Sequence, residues 1–273
     1  MDRSRRARIF GEVADLYDRV RPPYPDVLID AIVARLRGRG RRVLEVGAGT
    51  GKATAQLLAR GCRVLAVEPD PRMAAVAQAR LGGTDGFEIH VSSFETWSGD
   101  DHPFDLVFSA QAWHWVDPEV GYRKASEALG DDGILALVWN RPLVEGRPPG
   151  ITEAYLRHAP HLAEGSTLDR SWRSEGRSRE IVDSGLFDPP EVLTHAWSRR
   201  YGIDEYLDLL RTQSDHRILE PRRLEALLAD ICVALDPQGG LVVPYLSEAL
   251  VARQRRRRRG NDGTCPPRMA DRR

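Results

Sequence analysis

The sequence predicts an α/β protein, a doubly wound and mostly parallel sheet of seven strands with a helical cap, and three observations lead there. Five short apolar runs, "RRVLEVG", "CRVLAVE", "FEIHVSS", "FDLVFSA" and "GILALVW", alternate with helix-forming stretches such as "ATAQLLARG" and "PRMAAVAQARLG". The runs are apolar on both faces, as strands covered by helices on two sides must be. After Trp139 the rhythm breaks, and two further β-favouring runs, "EVLTHAWSRRYG" and "GLVVPYLSEALVA", flank a helical block from Ile203 to Leu235.

Taken in order, residues 1–40 open with arginines and continue into "ADLYDRVRPPYP", a helix start followed by a proline-stiffened link to the next helix. They are expected to form an N-terminal helical lid. Residues 41–140 hold the five alternating runs and are expected to form the ligand-binding core; right-handed crossovers align the loops after the strands along one edge. Residues 141–253 begin with the turn-rich "NRPLVEGRPPG", read as helices over 151–185, and are expected to cap that edge and complete the sheet. Residues 254–273, "QRRRRRGNDGTCPPRMADRR", are expected to be a disordered basic tail.

Composition excludes several classes of function. The chain has 273 residues, 41% of them hydrophobic, and no apolar run approaches the roughly 20 needed to span a bilayer. Its N-terminus lacks the apolar stretch of a signal peptide, so a cytoplasmic location with no membrane partner is expected. Cys62, Cys232 and Cys265 lack metal-site spacing, and no metal is expected. The tail carries a net +6 and the rest −6, which argues against a wide phosphate-binding surface and against a specific nucleic-acid partner. The expected assembly is a monomer or homodimer.

The chemistry is concentrated in "VLEVGAGTGKAT", from Val43 to Thr54. A phosphate-binding P-loop would need glycine where Val46 stands and a hydroxyl where Ala53 stands, so Lys52 is a decoy. A dinucleotide fingerprint would place its third glycine one residue later than Gly51. What remains is Glu45-x-Gly47-x-Gly49-x-Gly51 at a strand end, which resembles the first motif of class I S-adenosylmethionine-dependent methyltransferases. Glycines allow a tight turn and close backbone approach, and an acidic residue ahead of them can face the cofactor's ammonium group. The bland alternative is an ordinary strand-to-helix turn.

The stretches "ADLYDRVRPPYP", "VLEVGAGTGKAT", "AQAWHWVDP", "SDHRILEPRRLEALL" and "VVPYLSEAL" resemble the small-molecule subgroup that includes trans-aconitate methyltransferase-like proteins, over Phe10 to Ala252. That resemblance implies S-adenosyl-L-methionine as cofactor and a small-molecule methyl acceptor. It implies cofactor contacts from Tyr17 and Arg21 in the lid, from Glu45, Gly47, Ala48, Gly49 and Gly51, and from Glu68, placed to accept hydrogen bonds from ribose hydroxyls. Pro69 and Met73 would flank the adenine, with Asp70 as a helix cap. Phe94 and Glu95 would reach the ring, although Phe94 fits an ordinary core position equally well. Ala110 and Gln111 stand where the fourth motif meets cofactor and acceptor. The Asn-Pro-Pro-Tyr pattern of adenine and glutamine amino-methyltransferases is absent there.

Methyl transfer from a sulfonium is an in-line displacement in which the enzyme mainly aligns and desolvates. A carboxylate acceptor needs no base, whereas other O, N or C acceptors draw on one. The candidate bases are His114 and His216, and Trp113, Trp115 and Trp139 are the candidate walls of the acceptor pocket. A histidine between tryptophans also suits a purely structural role. A non-catalytic cofactor-binding protein and a nicotinamide-dependent oxidoreductase are the competing readings, the second disfavoured by the glycine spacing.

Overall fold

The computed structural model describes residues 10–36, 41–144, 146–163, 174–235 and 239–255. The tail expected to be disordered lies, from residue 256 onward, outside the described residues, as do residues 1–9 of the expected lid.

All seven apolar runs are strands: β1 (Arg42–Val46), β2 (Arg63–Glu68), β3 (Phe87–Val91), β4 (Phe104–Ala110), β5 (Leu129–Pro142), β6 (Glu191–Tyr201) and β7 (Leu241–Arg253). They form one sheet in the order β3-β2-β1-β4-β5-β7-β6. The first five are parallel, and β7 runs antiparallel to both β5 and β6. Strand alternation sorts the core. Val43, Val64, Leu106, Phe108, Ile134 and Val138 face a layer containing Ile29 and Ile32, whereas Leu44, Val46, Leu65, Val107, Leu135 and Leu137 face the opposite layer with Trp113 and Trp139. Truncating one of the large members, such as Phe108, costs about 3–5 kcal/mol.

The helices are α1 (Ala14–Val20), α2 (Asp26–Val33), α3 (Lys52–Leu58), α4 (Pro71–Leu81), α5 (Pro118–Ala128), α6 (Pro149–His158), α7 (Ser174–Asp183), α8 (Ile203–Arg211), α9 (Ser214–Arg217) and α10 (Pro221–Leu235). Two begin on the same local device. Asp70 caps α4, accepting from the amides of Arg72 and Met73, and Asp117 caps α5; each cap is followed by proline, whose missing N–H costs nothing in the first turn.

A third apolar cluster forms the cap. Ile151 and Tyr155 of α6, Tyr206 and Leu209 of α8, Leu227 and Ile231 of α10, and Tyr245 of β7 pack together, and Val20 of α1 joins them. The N-terminal helix is therefore fastened to the cap as well as to the sheet edge. Polar ties reinforce this: Arg21 donates from Nε to the Thr212 hydroxyl at 2.9 Å and from Nη2 to the Thr212 carbonyl at 2.8 Å, and Arg217 pairs with Glu12 at 2.5 Å.

Candidate active site

The strand order reverses between β1 and β4, so the loops leaving them part at that point and open a crevice. Gly47, Gly49 and Gly51 all have left-handed φ values, 71°, 58° and 79°. Their reasons differ. A Cβ on Gly47 would lie 2.3 Å from the Cβ of Ala112, so only glycine lets the β1 and β4 loops meet. A Cβ on Gly49 would find only the Met73 methyl at 3.4 Å, because this residue borders open space. Gly51 instead packs on α4, where a Cβ would come within 2.8 Å of Leu81; it shapes the turn and is not part of the cavity wall.

That open space is a cavity of about 820 Å³, in the range of small-molecule sites. Two buried carboxylates face it. Glu45 accepts a 2.6 Å hydrogen bond from Thr54, and burial raises its carboxyl to about 8 despite that bond. Glu68 accepts the Gly49 amide on one oxygen at 2.8 Å and the Asp70 amide on the other at 2.9 Å; burial raises it to about 7 against the lowering effect of these amides. Each Glu68 oxygen keeps acceptor capacity. Glu68 thus ties β2 to the glycine loop while facing the cavity.

The other residues named from the sequence divide cleanly. Tyr17, Arg21, Ala48, Pro69, Met73, Phe94, Glu95, Ala110, Gln111, His114 and Trp115 all line the cavity with the two carboxylates, Gly47 and Gly49. Phe94 is also core, 3% exposed and stacked near Trp97. Gln111 follows β4 at φ 57°, a left-handed value, and its side chain donates to the Asn140 carbonyl at 2.7 Å. Trp113 to Trp115 form a single 3₁₀ turn, and His114 lies 4.2 Å from the Trp115 ring, centroid to centroid.

Three expectations are corrected. Trp113 is 1% exposed and packs on Tyr122 and Phe94, because the tight turn sends it inward when His114 and Trp115 face the cavity. Trp139 shares strand parity with Leu135 and Leu137 and belongs to the core layer; its neighbour Asn140 reaches the cavity. His216 does not line the cavity. It sits in a smaller adjoining pocket, bonded to the Tyr155 hydroxyl at 2.8 Å, with burial foremost and the positive charges of Arg21 and Arg147 next in lowering it to about 3.

Residues that sequence reasoning did not single out complete the walls: Phe10, Tyr24, Ser92, Asn140, Gln213, Asp215 and Tyr245. Tyr24 and Tyr245 lie inside the stretches "RPPYP" and "VVPYLSEAL", but their placement depends on how distant elements dock.

Comparison with known proteins decides what this crevice belongs to. The chain is 43% identical over 239 residues to an uncharacterized methyltransferase of Mycobacterium tuberculosis (strain ATCC 25618 / H37Rv), covering 87% of this chain and 92% of the relative. Residues 44–137 match the methyltransferase domain family. The chain belongs to the class I S-adenosylmethionine-dependent methyltransferases. The oxidoreductase reading falls with that result. The fold agrees: a structure from Anaeromyxobacter dehalogenans described as a type II methyltransferase superposes with a TM-score of 0.59 at 22% identity, over 85% of this chain and 97% of that one. Phosphoethanolamine N-methyltransferase 2 of Haemonchus contortus, solved with S-adenosylhomocysteine, does so with 0.51 at 15%, over 90% of this chain and 59% of that one.

The residues of this methyltransferase fit its cofactor. The Gly49 cradle leaves room for close approach, Glu68 retains acceptor capacity for a diol, and the hydroxyls of Thr50 and Ser92 are buried without a hydrogen-bond partner among the described residues, on the cavity wall. Among the described residues no helix is long and apolar enough to cross a membrane, and no cluster of candidate metal ligands occurs.

Proposed function

We propose that this methyltransferase acts on a small molecule in the cytoplasm. The observation that carries the reading is convergence: one cavity of about 820 Å³ is lined by the glycine loop, both carboxylates and the aromatic loop after β4, with residues of α1 and of the α8–α9 turn. That volume suits the cofactor together with a small acceptor. In this reading the segment before β1 acts as a lid.

Glu45 faces the ammonium side of the cofactor and Glu68 the ribose hydroxyls, with Pro69 and Met73 beside the adenine, Phe94 and Glu95 at its edge, and Tyr17 closing over the ligand. The cofactor supplies a methyl group already activated by the adjacent sulfonium charge. The protein's task is alignment and exclusion of water. Asn140, Gln111, Trp115 and Tyr245 would border the acceptor, and Arg21 would orient an acid. Where the acceptor must lose a proton, His114 would take it at the ring nitrogen nearest the acceptor.

Incubation with methyl-labelled S-adenosylmethionine and fractionated cell extract tests this. Label is expected in the low-molecular-weight fraction, with His114→Ala reducing turnover more than cofactor affinity if a base is used. Label confined to RNA or protein would overturn the small-molecule reading.

A further inference from the structure

A second pocket of about 60 Å³ adjoins the main cavity, and Pro142, Leu209, Gln213 and Tyr245 line both. Its volume is several times the roughly 10–15 Å³ that one water needs, which leaves room for a group of a few heavy atoms. Among the polar side chains on its walls, two keep hydrogen-bonding capacity in reserve.

The first is His216. The Tyr155 hydroxyl, 2.8 Å from His216 Nε2, has no other hydrogen-bond partner among the described residues, so its proton is best satisfied by donation to Nε2. That places the imidazole proton on Nδ1, an atom that is buried without a partner. The second is Arg147. Its guanidinium lies 4.8 Å from the Tyr155 ring centroid and makes a single long hydrogen bond, 3.4 Å, to the Ala163 carbonyl. No carboxylate among the described residues pairs with it. A half-buried arginine and an orphan N–H donor lining one pocket match the chemistry of an anion.

We propose that this second pocket is a subsite for a carboxylate at the end of the acceptor remote from the methylated atom, held by Arg147 and the Nδ1 proton of His216. The inference rests on the acceptor occupying the main cavity, as proposed above. Tyr245, Leu209, Pro142 and Gln213, which line both spaces, set how far that carboxylate stands from the reacting end. An amide or ester of the same shape cannot replace it, because neither carries the charge that Arg147 would neutralise.

The test uses the full chain saturated with S-adenosylhomocysteine and a series of straight-chain monocarboxylates, acetate to hexanoate, each paired with its primary amide. Binding is read by calorimetry and by the NMR signals of the His216 ring. The carboxylates are expected to bind at least about tenfold more tightly than the amides, to shift the His216 signals and to raise that residue's pKa. Arg147→Gln should abolish the preference, and Arg147→Lys should restore part of it. Unchanged S-adenosylhomocysteine affinity in both variants shows that they fold. Equal binding of acids and amides, or a preference that survives Arg147→Gln, would overturn the subsite. Because no turnover is read, a failure of the small-molecule assignment appears separately, as label transferred only to macromolecules.

Discussion

At Gly49 the backbone φ of 58° and the open space before its missing side chain act on different properties when the residue is substituted. Any L-residue there is strained by about 1–2 kcal/mol, and a branched one also fills the open space in which the cofactor is proposed to lie. Gly49→Val is therefore expected to fold but to lose S-adenosylmethionine binding in calorimetry; retained affinity would remove the loop from the site. Glu68 differs, because its carboxylate holds the Gly49 and Asp70 amides as well as facing the cavity. Glu68→Ala should weaken cofactor binding by about 1–3 kcal/mol, with some loss of stability as the two amides lose their acceptor. Affinity unchanged from wild type would show that the ribose is held elsewhere.

Among the elements, the end of β5 couples most of the site. The Asn140 side chain donates to the Pro23 carbonyl at 2.9 Å and accepts from Ser247 of β7 at 2.6 Å, while its carbonyl accepts from Gln111. One residue thus joins the N-terminal segment, the β4 loop and the antiparallel strand. Asn140→Ala should cost about 1–3 kcal/mol and speed hydrogen exchange at the start of α2, while the β4 loop keeps its bond from Gln111 to the main-chain carbonyl of residue 140. Exchange no faster than in wild type would assign the fastening to Arg21 and Thr212 instead. The same element shows what the sequence could convey. All seven strands were legible because alternation and two-sided apolarity are local properties, and Glu45, Glu68 and the glycines because their chemistry is bound to a strand end. At Trp139 residue type and parity point in different directions, and parity decides: Leu135, Leu137 and Trp139 share one face, so Asn140 is the neighbour facing the cavity. His216 and Tyr245 were illegible for another reason. Their positions follow from how α8, α9 and β7 pack, and no short stretch of sequence records that.

For the whole molecule, the two buried carboxylates make stability and cofactor affinity depend on pH in opposite senses. Burial raises Glu45 to about 8 and Glu68 to about 7, well above the roughly 4.3 of an unfolded glutamate. Between those limits the folded, ligand-free protein binds more protons than the unfolded chain, so its stability falls as pH rises from about 4.5 to 8. One unit of such shift corresponds to about 1.4 kcal/mol, and each kcal/mol to roughly 2–4 °C in Tm for a chain of this size. With the cofactor placed as proposed, the balance reverses, since its positive charges and ribose donors favour the ionised carboxylates. Binding must then release protons, and affinity must rise with pH between about 5.5 and 7.5, below the range in which the ligand's own amine deprotonates. Calorimetry in two buffers of different ionisation enthalpy reads that release directly. Glu45→Gln should lower the proton count, reduce the slope throughout and abolish it above about pH 7, while Glu68→Gln should reduce the slope only below about pH 7. Affinity independent of pH in the wild type, with no protons released, would mean that the carboxylates are already ionised before the cofactor arrives, and that their charge is balanced within the protein.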